Sequence, residues 1–145
     1  MTRVYRGPLP YSTGVTSLTG VVASGLGQGA HFMSLAWVQD GVRGLVGFTP
    51  YPGTLNVRLD ADMVGVWRRI KEGGAVVLAP TPPEPCGARL FPLVVSPDVE
   101  AAVIVPDVTG YDEGLIELIA AVHLRSRLGL SDHDRVTLRV PSLQR

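Results

Sequence analysis

Glycine and proline punctuate this chain so often that no long regular element can run through it: 17 glycines and 12 prolines are spread over 145 residues. Glycine opens backbone conformations closed to other residues, and proline fixes φ and removes an N–H donor, so the stretches between them have to be short. That pattern disfavours a helical bundle and suits short strands that turn often, as in a barrel or a sandwich. The chain is long enough for one real core and short for two, so a single domain is expected. Hydrophobic residues at 46% and charged residues at 18% give the composition of a compact fold rather than a disordered chain.

Charge and cysteine usage exclude several classes of function. With 13 basic and 13 acidic side chains the formal net charge is zero, so the basic footprint of a nucleic-acid-binding protein is missing and no nucleic-acid partner is expected. The single cysteine, Cys86, cannot build a disulfide framework or a zinc site, which points to a reducing cytoplasm. No apolar run approaches the ~20 residues that cross a bilayer, and the N-terminus has no signal-like core, so no membrane association is expected. His31, His123 and His133 lack metal-ligand spacing, and together with Trp37 and Trp67 they read as packed or surface residues.

Residues 1–14 carry two prolines and no periodicity and read as an extended arm before a domain over 15–145. The β-branched run at 15–23 predicts a strand that ends in the glycine-rich SGLGQG. A second strand is expected over 31–38, then a turn at Asp40-Gly41 and a further strand over 44–48 leading into TPYPGT. Met63, Val66, Trp67 and Ile70 recur at helical spacing before Gly73-Gly74, predicting a helix over 60–71. Strands are expected over 76–78, 89–95, 101–105 and 135–140, with helical turns over 123–128 closed by Gly129. The run LIELIA at 115–120 suits a strand or a buried helical turn equally.

Two segments carry chemistry. The loop Gly25-Leu26-Gly27-Gln28-Gly29 follows a strand and has glycine at every second position, which lets backbone N–H groups approach phosphate. It lacks the Walker ending, and both its spacing and the strand expected after it fail the dinucleotide pattern, which requires a helix there. By itself the loop reads more readily as a glycine-rich hairpin turn than as a phosphate cradle. In GFTPYPGTLNV, prolines and glycine stiffen a loop that presents Thr54 and Asn56 on one face of an extended segment. Two neutral oxygens at that spacing can reach one hard cation such as magnesium, although the same residues beside prolines commonly make turns.

SGLGQGAHFMSL, GFTPYPGTLNVRL and VIVPDVTGYDEGLIELIAAVHLRSRLGLSDHDRV, in this order over about residues 18–140, resemble the signatures of the archaeal CTP-dependent riboflavin kinases. The resemblance implies a mainly β fold, a six-stranded cradle-loop barrel with one or two short helices, in which LIELIA is a strand. It implies that Gly25, Leu26, Gly27, Gln28, Gly29 and Ala30 cradle the phosphates of CTP. Val122, His123, Leu124 and Arg125 would meet the cytidine part, Thr54 and Asn56 would hold Mg2+, and Thr109 and Glu117 would contact the flavin. Two positions depart from the family pattern: Ala121 stands where proline is common, and His133 replaces a glycine in an Asp-Gly-Asp turn, which asks it for a positive φ that histidine tolerates better than most residues.

The activity so implied is transfer of the γ-phosphate of CTP to the 5′-hydroxyl of riboflavin, giving FMN and CDP in a monomeric enzyme. Phosphoryl transfer asks a protein for alignment and charge neutralisation, so glycine-loop amides and magnesium suffice and Glu117 is the candidate to orient the hydroxyl or take its proton. LRSRLGLSDHDRVTLRV also resembles the helix-turn-strand element of swapped-hairpin DNA-binding barrels, a rival reading that the neutral charge disfavours. A non-catalytic flavin-binding barrel is the remaining alternative.

Overall fold

The computed structural model describes residues 15–24, 32–81, 87–107 and 112–141. Its strands are β1 (Val15–Ala23), β2 (Leu55–Leu59), β3 (Val76–Leu78), β4 (Ala88–Val95), β5 (Val99–Pro106), β6 (Leu115–Ala120) and β7 (Arg135–Pro141). Every pairing is antiparallel, and the order β4-β5-β6-β2-β1-β7 closes on itself where Val94 and Val95 of β4 pair with Arg139 and Leu138 of β7. The result is the six-stranded barrel that the resemblance implies, with β3 added outside on β4. Closure removes the free edges that an open sheet of these apolar strands would expose.

Side-chain alternation fixes which way each strand faces. Leu18 and Val22 of β1, Leu55, Val57 and Leu59 of β2, Ile116 and Leu118 of β6, and Leu138 of β7 point into the barrel and form its core. LIELIA is therefore a strand, and its period-2 pattern was hidden because Ile119 is buried too, on the outer face. A short 3-10 turn, Ala61–Met63, leads into helix α2 (Val64–Glu72), close to the helix expected at 60–71. That helix places Trp67, only 1% exposed, edge-on against Phe91 with ring centroids 5.0 Å apart, joining the barrel core. Helix α3 (Leu124–Leu128) sets Leu124 into the core and ends at Gly129 in the left-handed region.

The segment between β1 and β2 is not the expected pair of strands. Residues 32–34 make a helical turn, and helix α1 (Ala36–Val46) occupies the stretch read as strand, turn and strand. Val38 and Val42, four residues apart on one helical face, are fully buried against Leu78, Leu90, Ala102, Ile104 and Ile119 on the outer face of the sheet. Gly41 makes no turn: it lies mid-helix against β3, and a Cβ there would run into Leu78 Cδ1. The helix stops at Gly47, whose φ of 89° lets its N–H reach the Arg43 carbonyl. The glycine loop thus leads into helical structure, so one objection to a nucleotide-loop reading falls, while its spacing still differs from the dinucleotide pattern. With α1 the described residues hold three α-helices rather than one or two. None of them is long and apolar enough to cross a membrane.

Candidate active site

The barrel registers bring two of the candidate site residues together. Asn56 on β2 lies directly opposite Glu117 on β6, Ala23 at the end of β1 flanks Asn56 on the other side, and Ile104 of β5 flanks Glu117. Leu55 and Val57 point inward, and so do Ile116 and Leu118, so Asn56 and Glu117 share the outer face, where directly opposed side chains have Cβ atoms about 5 Å apart. Glu117 sits at the border of the patch that α1 covers, since both Ile104 and Ile119 belong to that patch. Thr54, two residues before Asn56, is half-buried like Asn56 and Glu117. No side-chain hydrogen bond or ion pair joins Thr54, Asn56 or Glu117 to another described residue. Asn56 and Glu117 thus stand side by side on one face, with Thr54 just before the strand, and none of the three is engaged by another described side chain.

The loop before Thr54 is fastened from two sides. Gln39 of α1 donates through Nε2 to the carbonyls of Met33, at 2.5 Å, and Pro50, at 3.0 Å. The Tyr51 N–H donates to the Ala120 carbonyl at the end of β6 at 2.7 Å, and the Tyr51 ring lies 5.0 Å from that of His123. The prolines stiffen the loop locally, and these bonds fix where it stands against β6 and α3.

In the 122–125 segment each side chain is engaged elsewhere. Val122 packs on the core, Leu124 is buried in it, His123 shares a 2.7 Å hydrogen bond between Nδ1 and Ser126 Oγ, and Arg125 pairs with Asp132 at 2.6 Å. The side chains being so engaged, the groups of this segment without a partner inside the helix are backbone N–H groups of its first turn. Asp132 also accepts the Ser24 hydroxyl at 2.7 Å, and these two donors, Ser24 first, hold its carboxyl below the usual carboxylate range. Sequence reasoning passed over Ser24, Tyr51 and Asp132. The acidic pair around His133 was the one available signal, and it read as a turn, which it also is: His133 takes φ 75° as the resemblance required.

Gly25, Leu26, Gly27, Gln28, Gly29 and Ala30, together with Thr109, lie outside the described residues, as do Cys86, His31 and the arm at 1–14. Ser24 is the residue from which the glycine loop departs, directly beyond the Ala23–Asn56 pair. Thr54 and Asn56 supply neutral oxygens, the kind of donor that magnesium shares with phosphates and water, and neither is engaged by a side-chain partner among the described residues, which fits that ion. Among the described residues no group of His, Cys, Asp and Glu could hold a metal instead.

Fold and site define a closed antiparallel barrel with Asn56 and Glu117 paired on its outer face, beside the end of β1 from which the glycine-rich segment departs. A family model, CTP-dep_RFKase, described as Domain of unknown function DUF120, matches residues 22–140, and the chain belongs to this CTP-dependent riboflavin kinase family. It is 37% identical over 127 residues to a riboflavin kinase of Methanoculleus marisnigri, covering 86% of this chain and 57% of that protein. The riboflavin kinase of Pyrobaculum islandicum is 39% identical over 128 residues, covering 85% of this chain and 59% of the relative. That of Methanosarcina acetivorans is 38% identical over 129 residues, covering 87% and 54%. The chain therefore spans under three fifths of the length of these relatives.

Proposed function

We propose that this chain phosphorylates riboflavin, taking the γ-phosphate of CTP with magnesium and releasing FMN and CDP. The observation that carries the reading is the register that sets Asn56 against Glu117 on the outer face, with neither side chain engaged by another described residue, in a chain of this family. Magnesium held by Thr54 and Asn56 would neutralise charge on the phosphate oxygens. Gly25 to Ala30 would offer N–H groups to the phosphates, and Thr109 and Glu117 would meet the flavin.

In the reaction a bond forms between the ribityl 5′-oxygen and the γ-phosphorus, and the bond from that phosphorus to the β,γ-bridging oxygen breaks. CDP leaves with the electron pair. Glu117 orients the attacking hydroxyl and accepts its proton as the new bond forms, then passes it to water. Its place opposite Asn56 puts a base beside the oxygens that would anchor the phosphates. Selection of cytosine rests on main-chain groups of Val122, His123, Leu124 and Arg125, a reading supported by the prior engagement of all four side chains.

Asn56→Ala tests the site directly. FMN formation should fall at least about a hundredfold at any magnesium concentration, with the circular dichroism spectrum and melting curve unchanged. Near-normal turnover of that variant at limiting magnesium would remove Asn56 from the site.

A further inference from the structure

Asp132 takes no part in the chemistry above, yet it joins two ends of the site. Its Oδ2 accepts the Ser24 hydroxyl at 2.7 Å, across 108 residues of sequence, and its Oδ1 accepts the Arg125 guanidinium at 2.6 Å. Ser24 is where the glycine loop leaves β1, and Arg125 lies in the first turn of α3. The turn that carries Asp132 is itself fixed. The His133 N–H donates to the Val22 carbonyl and the Val22 N–H to the Asp134 carbonyl, both at 2.8 Å. The Ser131 N–H donates to Asp134 Oδ2 at 2.8 Å, and the Leu130 N–H closes α3 on the Arg125 carbonyl at 2.8 Å. Asp132 is thus a carboxylate on a rigid post, with one oxygen for each flank of the site.

We propose that Asp132 is a positioning residue that sets the spacing between the phosphate end and the base end of the nucleotide site by holding Ser24 and Arg125 at once. The proposal rests on the nucleotide reading given above. Arg125 and Asp132 are 34% and 44% exposed, so their pairing adds little to global stability, and what it supplies is placement. A ligand that touches both ends gains from each only if they stand at the right separation; when one is freed, binding has to restore that order. A ligand that touches one end does not sense the spacing.

The test uses the full chain and compares wild type with Asp132→Ala, Asp132→Asn and Asp132→Glu, each checked by thermal melting. CTP KM and the inhibition constant of CDP should rise about tenfold in Asp132→Ala, the cost expected when binding has to re-order about one or two freed side chains. Inhibition by cytidine alone and by inorganic triphosphate alone, and the KM for riboflavin, should each change less than about twofold. Asp132→Asn, which keeps the size and loses the charge, should fall between, and Asp132→Glu should recover part of the loss. Equal weakening of CDP, cytidine and triphosphate would show local damage and overturn the proposal, as would unchanged CDP inhibition in a folded Asp132→Ala. A wild-type chain that neither binds CDP nor makes FMN would overturn the kinase reading, and the nucleotide role of Asp132 with it. Normal wild-type turnover with unaffected variants would overturn the role of Asp132 alone.

Discussion

Glutamine at position 117 separates a structural carboxylate from a catalytic one. Glu117 is half-buried on the outer face of β6, and its side chain makes no hydrogen bond or ion pair with another described residue. Glu117→Gln keeps the volume and removes only the charge, so folding stability should change by no more than about 0.5 kcal/mol. For a domain of this size that is a melting shift of under about 2 °C. Removing a general base commonly costs about 10²- to 10⁴-fold in rate, or roughly 3–5 kcal/mol of barrier at about 1.4 kcal/mol per decade. One substitution should therefore leave the melting temperature in place while kcat/KM falls by at least about two decades. Chromatographic detection of FMN at saturating CTP and magnesium, beside differential scanning fluorimetry, measures both. A variant that keeps more than about a tenth of wild-type kcat/KM would refute the role given to Glu117, and so would activity lost only in step with a melting drop of several degrees.

Trp67→Ala removes the ring that packs on Phe91 in the barrel core, and a loss of about 3–5 kcal/mol, read as a melting decrease of roughly 6–20 °C, is expected in calorimetry. Hydrogen bonds from Arg68 and then Lys71 lower the Glu113 carboxyl from its ordinary 4.5 to about 2. A depressed carboxylate contributes its stability above the unfolded value and loses it as the pH falls through the folded one, so Glu113→Gln should flatten the acid limb of the stability curve between pH 4.5 and about 2. A limb as steep in the variant as in wild type would contradict that coupling. On the proposed reading of the base by main-chain groups, His123→Ala should leave the CTP-over-ATP ratio of kcat/KM within about twofold of wild type; a lost preference with FMN synthesis retained would mean that the imidazole reads the base.

β1 and β7 were legible because their alternation survives in sequence, and β3, β4 and β5 as short apolar runs bounded by turn residues; all five lie within a residue or two of where the sequence puts them. The helix at 64–72 was legible for the corresponding reason, with Val66, Trp67 and Ile70 repeating at helical spacing. Helix α1 was not. Its valines and tryptophan favour strands by propensity, and Gly41 and Gly44 look like turn residues until tertiary contact shows Gly41 serving the close approach of Leu78. Leu35, Val38, Val42 and Val46 do keep three- and four-residue spacing, a signal outweighed by composition. The two-residue spacing of Thr54 and Asn56 singled them out as candidates, but that Asn56 faces Glu117 depends on a register between strands some sixty residues apart, which no local pattern encodes. Asp132 was out of reach for the same reason, since its meaning comes from Ser24 at the far end of the chain.

Incubating the chain with riboflavin, magnesium and each nucleoside triphosphate in turn, and resolving the flavins by chromatography, tests the central claim most directly. FMN should accumulate with CTP, with CDP in equal amount, while ATP, GTP and UTP support markedly slower conversion, and Thr54→Ala and Asn56→Ala should abolish the product. No FMN with any of the four donors, from a folded chain that still quenches riboflavin fluorescence, would contradict the claim and leave a barrel that binds flavin without phosphorylating it.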